Sequence, residues 1–252
     1  MKFMSLKHNL FDAAIIDLDG TLVDTMSDFV VALNLMLVDL SLPQVDRAVV
    51  EPLVGKGSEH LIRSVLDHVQ NRPSAQVEQE QVAIDSGADA TLYAAAWSSY
   101  QRHYLAVNGQ HAQVYPGAAE GLQQLQAGGL KLACVTNKPT EFAAALLKAK
   151  QLDGFFSHVF GGDSFTEKKP HPMPLLKACE ALGTSPAHTL MVGDSRNDAQ
   201  AARRAGCPVV LVTYGYNHGV PLEAMDAGAQ PDALISCLTD LAPLLSCRAA
   251  LL

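Results

Sequence analysis

The chain has 252 residues, room for one large domain or for a core with a smaller partner. Hydrophobic residues make up 48% and charged ones 17%, which excludes disorder as the dominant state, since disorder needs low hydrophobicity and dense charge. Eighteen Lys and Arg stand against 26 Asp and Glu, a net charge of −8 that argues against nucleic acid as a partner and makes any anionic substrate depend on local positive charge.

Met1 to Asn9 carries Lys2 and Lys7 but no apolar h-region, so no signal peptide is expected. The first apolar run, Ala13-Ala14-Ile15-Ile16, ends abruptly in Asp17-Leu18-Asp19-Gly20-Thr21. Leu130 to Val135, His158 to Phe160, Thr189 to Val192 and Pro208 to Val212 have the same form. Such short runs suit strands buried on both faces of a parallel sheet. Helical patterns lie between several of them, at Gly121 to Ala127 and at Asn197 to Ala205, the second stopping at Gly206. Strands alternating with helices define an α/β class with a doubly wound, mostly parallel sheet.

One interval breaks the alternation. From residue 25 to about 112 no strand pattern occurs, while Phe29, Leu33, Met36, Leu37 and Leu40 share a helical face. Leu61, Ile62, Val65, Leu66 and Val69 do the same, and Leu92, Ala96, Tyr100 and Tyr104 continue the pattern. Asn71 to Ala90 is polar, a loop or a weak helix; Asn108-Gly109 and Pro116-Gly117 mark the return. The expected division is therefore a core of residues 1–24 and 113–252 and an all-helical insertion of residues 25–112.

Cysteines at 134, 179, 207, 237 and 247 show no metal-binding spacing and read as reduced thiols of a cytoplasmic protein. No apolar run reaches the roughly 18 residues of a membrane helix, and the tail from Leu241 to Leu252 is short and contains Arg248, so no membrane partner is expected. Monomer and homodimer stay equally open.

In open α/β sheets ligands bind at the carboxyl ends of the strands. The first strand delivers Asp17 and Asp19 there; others deliver Thr136-Asn137 and Gly193-Asp194-Ser195, followed by Asp198, and a loop supplies Lys168-Lys169-Pro170. Asp17 and Asp19, two apart in an extended segment, point to one side and repel unless one is protonated or a cation lies between them. One suits a nucleophile, the other a proton donor and acceptor; alternatively both merely solvate a loop. Asp194 and Asp198 share a helical face, and an oxygen-only set with Asp17 favours Mg²⁺, although a cap in the first helical turn accounts for Asp198 better than for Asp194. Thr136 and Asn137 open a helix and offer an anion site, or are caps. Lys169 faces the carboxylates, with Lys168 expected on the surface.

Together these segments resemble the haloacid dehalogenase-like superfamily. Asp17-Leu18-Asp19-Gly20-Thr21-Leu22-Val23-Asp24 is similar to its first motif, Val135-Thr136-Asn137 to its second, Lys169-Pro170 to its third and Gly193-Asp194-Ser195-Arg196-Asn197-Asp198 to its fourth. The insertion is similar to the family's helical cap. The resemblance implies Asp17 as the nucleophile that becomes an aspartyl-phosphate, and Asp19 as acid and base, its main-chain carbonyl also binding Mg²⁺. It implies Thr136 and Lys169 as phosphoryl holders and Asp194 as a metal ligand, with Asp198 behind it or a further ligand. Within the superfamily, Asp17–Asp24, the segment Val54-Gly55-Lys56-Gly57-Ser58-Glu59-His60-Leu61-Ile62 and Lys168 to Pro172 resemble phosphoglycolate phosphatases. The expected activity is then Mg²⁺-dependent hydrolysis of a small anionic phosphate ester, 2-phosphoglycolate. Lys56 either pairs with the substrate carboxylate or is a solvated turn residue. His60, His103 and His171 read as surface or packing residues. The rivals are another sugar-phosphate phosphatase, a phosphosugar mutase on the same scaffold, a phospho-accepting signalling module and a simple phosphate-ester binder.

Overall fold

The computed structural model describes residues 11–70, 87–217, 222, 225 and 227–246. The chain runs through β1 (Ala13–Ile16), β2 (Val23–Asp24) and the helices α1 (Met26–Asp39), α2 (Arg47–Val50), α3 (Ser58–Val69) and α4 (Gly87–Val107). Next come β3 (Gln113–Val114), α5 (Ala118–Ala127), β4 (Lys131–Val135), α6 (Thr140–Ala149) and β5 (His158–Phe160). The remainder is α7 (Met173–Leu182), β6 (Thr189–Gly193), α8 (Arg196–Ala205), β7 (Val209–Val212), β8 (Ala233–Ile235) and α9 (Leu241–Ser246).

Six strands form one parallel sheet in the order β5-β4-β1-β6-β7-β8. Central β1 is wholly buried, as its unbroken apolar run requires. Its side chains alternate: Ala14 and Ile16 join the core under α5, α6 and α9, while Ala13 and Ile15 join the one under α7 and α8. The strand order reverses across β1, with β4 on one side and β6 on the other. Ile16 is level with both Cys134 and Val192, so the ends of these three strands open a common crevice.

The four longest expected runs and His158–Phe160 are all strands of this sheet. Three strands escape the pattern. β8 is a three-residue edge strand with one exposed leucine, so its burial is broken. β2 and β3 have two residues each and pair only with each other, Val23 with Val114 and Asp24 with Gln113. That ribbon stands where the chain leaves the sheet region and where it returns.

Between the ribbon strands the described residues are helices and turns. Their core is separate: Phe29, Leu33 and Met36 of α1, Leu61, Ile62 and Val65 of α3, and Ala96, Tyr100 and Tyr104 of α4 pack together. Phe29 stacks on Tyr104 at 5.4 Å, and Tyr104 meets Phe142 of α6 at 4.9 Å. Phe142 and Tyr216 are the buried members of this cluster that come from the sheet region. Of the polar stretch expected as loop or weak helix, residues 71–86 lie outside the described residues, and α4 begins at Gly87. Cys134, Cys179, Cys207 and Cys237 are free thiols; Cys247 lies outside the described residues. No helix among the described residues is long and apolar enough to cross a membrane.

Candidate active site

Asp17 follows β1 directly, and its N–H donates to Val192 O of β6 at 2.9 Å, which fixes the backbone at the centre of the crevice. Its carboxylate is buried beside Lys169, whose Nζ lies 2.9 Å from Oδ1. Beyond this ion pair Oδ1 has no further hydrogen-bond partner among the described residues. Lys169 Nζ also donates to Val135 O and to Asp198 Oδ1, each at 2.7 Å. Burial pushes the Asp17 carboxyl up to about 7; Lys169 pulls it back and Asp198 adds to the rise. For Lys169, burial alone would lower the ammonium's pKa, but Asp17 and Asp198 reverse the effect and hold it above the usual lysine range.

Asp194 follows β6 directly, close to Asp17. Its Oδ2 accepts from Tyr216 N at 2.7 Å, whereas Oδ1 has only a long contact, 3.5 Å, from Thr21 Oγ1. Burial raises its pKa well above the carboxylate range, with the neighbouring Asp198 and Asp17 adding to the shift. Gly20, at φ +81°, lies so close to the Asp194 carboxylate that a Cβ would collide with Oδ2. Ligand oxygens of Asp17, Asp194 and Asp198 all fall within 4.8 Å of one another. Were all three to shed their protons, the single Lys169 ammonium would leave two negative charges in a buried space, a deficit that a divalent cation matches. The donor set is oxygen only, and Asp194 Oδ1 is lightly used, so the residues fit a hard cation.

Asp198 is differently engaged. Its Oδ1 holds Lys169, and its Oδ2 accepts from Ser195 Oγ at 2.7 Å, Ser195 N at 3.1 Å and Asp194 N at 3.3 Å. It closes a capping box with Ser195 at the start of α8, the cap role that competed with ligation in the sequence.

Asp19 lines the same cleft as Asp17 but has its own partners. Lys138 Nζ donates to its two oxygens at 2.9 and 3.1 Å, and Thr25 Oγ1 donates to Oδ1 at 2.8 Å. The expected repulsion between the two aspartates is thus met by a separate lysine on each: Lys169 on Asp17, Lys138 on Asp19. Lys138 went unnoticed in the sequence beyond its place at a helix start. Its only signal was a cation directly after Thr136-Asn137 at the end of a strand. Tyr216, missed as well, donates its hydroxyl to Asp24 Oδ1 at 2.8 Å and accepts from Thr25 N and Met26 N at 2.7 and 3.1 Å.

Thr136 is buried on the cleft wall. Asn137 also lines it, but its side chain is a clamp: Nδ2 donates to Gly55 O and Lys169 O, and Oδ1 accepts from Lys169 N. With both amide protons committed to protein carbonyls, the side chain expected at the phosphate instead ties three loops together. Asn197 Nδ2 joins it on Gly55 O at 3.2 Å. Lys56 is exposed and does not reach the cleft, which is lined there by Gly55, Gly57 and Ser58. The turn made by Gly55 and Gly57, both at positive φ, presents backbone inward and throws the intervening side chain out. Lys168 is exposed, as expected.

A doubly wound sheet with paired carboxylates and a buried lysine at its switch point, under a helical insertion, defines a class of hydrolytic enzymes rather than a binding module. The model of haloacid dehalogenase-like hydrolases matches residues 14–212, and the chain belongs to that family. It is 40% identical to the phosphoglycolate phosphatase of Thiobacillus denitrificans over 230 residues, 91% of this chain and 93% of the relative. It is 41% identical to that of Escherichia coli K12 over 231 residues, covering 91% and 90%. Among solved structures, a predicted phosphoglycolate phosphatase from Haemophilus somnus 129PT superposes with a TM-score of 0.82 at 33% identity, covering 94% of this chain and 99% of that one.

Proposed function

We propose that this protein hydrolyses 2-phosphoglycolate to glycolate and phosphate in the cytoplasm, with Mg²⁺ as its metal. The relatives' activity at 40–41% identity supports the substrate. The reading is carried by Asp17: a buried carboxylate at the end of the central strand, held against Lys169 at 2.9 Å and opening on a cleft.

Asp17 Oδ attacks phosphorus as the ester P–O bond breaks, leaving phosphate on the aspartate. Asp19 gives its proton to the departing glycolate oxygen. It then takes a proton from water, which attacks the same phosphorus and breaks the bond to Asp17. Thr136 and Lys169 hold the phosphoryl oxygens, with Lys169 kept in place by Asp198. Asp17, Asp194 and the main-chain carbonyl of Asp19 would hold Mg²⁺, which supplies positive charge for the phosphoryl group and for the crowded carboxylates. Asp198 acts behind them through Lys169 and the cap of α8.

Residues 25–112 act as a cap over the cleft, latched to the core where Asn137 and Asn197 both reach Gly55 O. Closure excludes bulk water and selects the leaving group.

The test is phosphate release across small esters, including 2-phosphoglycolate, sugar phosphates and mononucleotides, with Mg²⁺ and with excess chelator. Preference for 2-phosphoglycolate and loss in chelator support the proposal. Preference for a sugar phosphate refutes the substrate, and an isomeric ester in place of free phosphate points to a mutase.

A further inference from the structure

We propose that Lys138 receives the carboxylate of the substrate and so sets both the choice of ester and the placement of its leaving oxygen beside Asp19. The inference rests on the function proposed above and adds the residue that recognises the leaving group.

The cleft presents a charge problem. Asp17, Asp19 and Asp194 all line it, and a carboxylated phosphate ester brings a negative charge at the end away from phosphorus. The cation at that end must come from the protein. Lys56, the sequence candidate, is exposed and outside the cleft. Lys169 lies at the Asp17 end of the site, where it serves the phosphoryl group and is tied to Val135 O and Asp198. Among the described residues lining the cleft, Lys138 is the one with a cationic side chain.

Its setting is not that of a surface lysine. The side chain is 1% exposed, and Nζ lies 4.5 Å from the centre of the Phe29 ring and 4.7 Å from that of Tyr104. Tyr104 OH accepts from Nζ at 2.6 Å. Aromatic faces and one hydroxyl hold an ammonium without hydrating it, which leaves its charge strong for an incoming anion. Asp19, which also accepts from the Thr25 hydroxyl, keeps 11% exposure, and both partners of the ion pair line the cleft. An ammonium has three N–H groups. In this structure they go to the two Asp19 oxygens and to Tyr104 OH, so an incoming carboxylate is received by exchange for one of the Asp19 oxygens, which keeps Asp19 beside the substrate.

The chemistry of the ester makes the placement useful. In 2-phosphoglycolate a single carbon separates the leaving oxygen from the carboxylate. A group that touches both the carboxylate and Asp19 therefore brings the leaving oxygen to the proton donor.

The experiment compares 2-phosphoglycolate with 2-hydroxyethyl phosphate, which lacks the carboxylate, in the full-length protein with Mg²⁺. Wild type, Lys138→Met and Lys138→Arg are measured, with Lys138→Gln alongside should the Met variant not fold. In Lys138→Met the preference for 2-phosphoglycolate, as a ratio of kcat/KM values, is expected to fall about 100-fold, chiefly through KM, and Lys138→Arg to restore part of it. A preference unchanged in Lys138→Met and Lys138→Gln, whether both esters slow together or neither does, overturns this proposal alone. A wild-type enzyme that makes no distinction between the two esters overturns the substrate reading and this proposal together.

Discussion

Lys169 and Asp198 form an ion pair at 2.7 Å with side chains 2% and 0% exposed. The lysine also faces Asp17 at 2.9 Å, so a residue four positions beyond Asp194 shares the cation with Asp17. Asp198→Asn breaks the pair while keeping one acceptor for the cap of α8. The variant is expected to lose about 3 kcal/mol of stability and 10- to 100-fold in turnover. Urea denaturation and steady-state phosphate release measure the two effects.

Asp17→Asn is expected to remove at least ~10⁴-fold of turnover, since no other group can carry the phosphoryl. The metal-free fold should respond in the opposite sense. A carboxyl displaced from 3.8 to about 7 by burial weighs against folding once it is ionised. The asparagine variant should therefore melt higher than the metal-free wild type at pH 8, by on the order of 1–3 kcal/mol. Equal or lower melting would contradict the charge assignment.

The same raised pKa predicts a pH dependence. Between about pH 4 and 7 the folded state holds a proton on Asp17 that the unfolded chain has released. This contribution to stability is present below the unfolded pKa and is lost as pH rises through the window. Asp194, raised in the same direction, adds to the trend. A divalent cation takes the place of those protons, so Mg²⁺ should raise the melting temperature much more at pH 8 than at pH 5. Calorimetry with and without Mg²⁺ at the two pH values checks the difference, and equal shifts would refute it.

Tyr216→Phe removes one hydroxyl that serves Thr25 N, Met26 N and Asp24 Oδ1. Thr25 N at the start of α1 is then left buried without that acceptor, while Met26 N keeps Asp24 Oδ1 at 3.1 Å, at a cost of about 1–3 kcal/mol in thermal or urea unfolding.

Much of the sheet was legible because fully buried parallel strands write themselves as apolar runs, as Ala13–Ile16 and Val209–Val212 do. β2 and β3 left no such trace: their pairing joins Val23 to Val114 and Asp24 to Gln113, far apart in the chain, and period-2 alternation needs more length than two residues. In the site, the positions at strand ends were readable from the rule that ligands gather there, and Asp17, Asp19, Thr136 and Asp194 do line one cleft. What each side chain bonds was not. Asn137 and Asp198 belong to polar types that suit either a ligand or a clamp, and only the approach of Gly55, Lys169 and Ser195 decides. Lys56 and Lys138 are both lysines in turn-rich segments; the glycines flanking Lys56 turn it outward, while Phe29 and Tyr104, distant in sequence, enclose Lys138.

The ribbon of β2 and β3 has a consequence for how such an enzyme can diversify. Val23 pairs with Val114 and Asp24 with Gln113, so the entry and exit of the inserted helices are joined at their base. Whatever lies between them closes a loop whose ends the core already holds, and its length or sequence can change at small entropic cost. The segment is thus a graftable module. A chimaera that exchanges it at these two pairs for the corresponding part of another such hydrolase should retain phosphate release at Asp17 while acquiring a different ranking of esters.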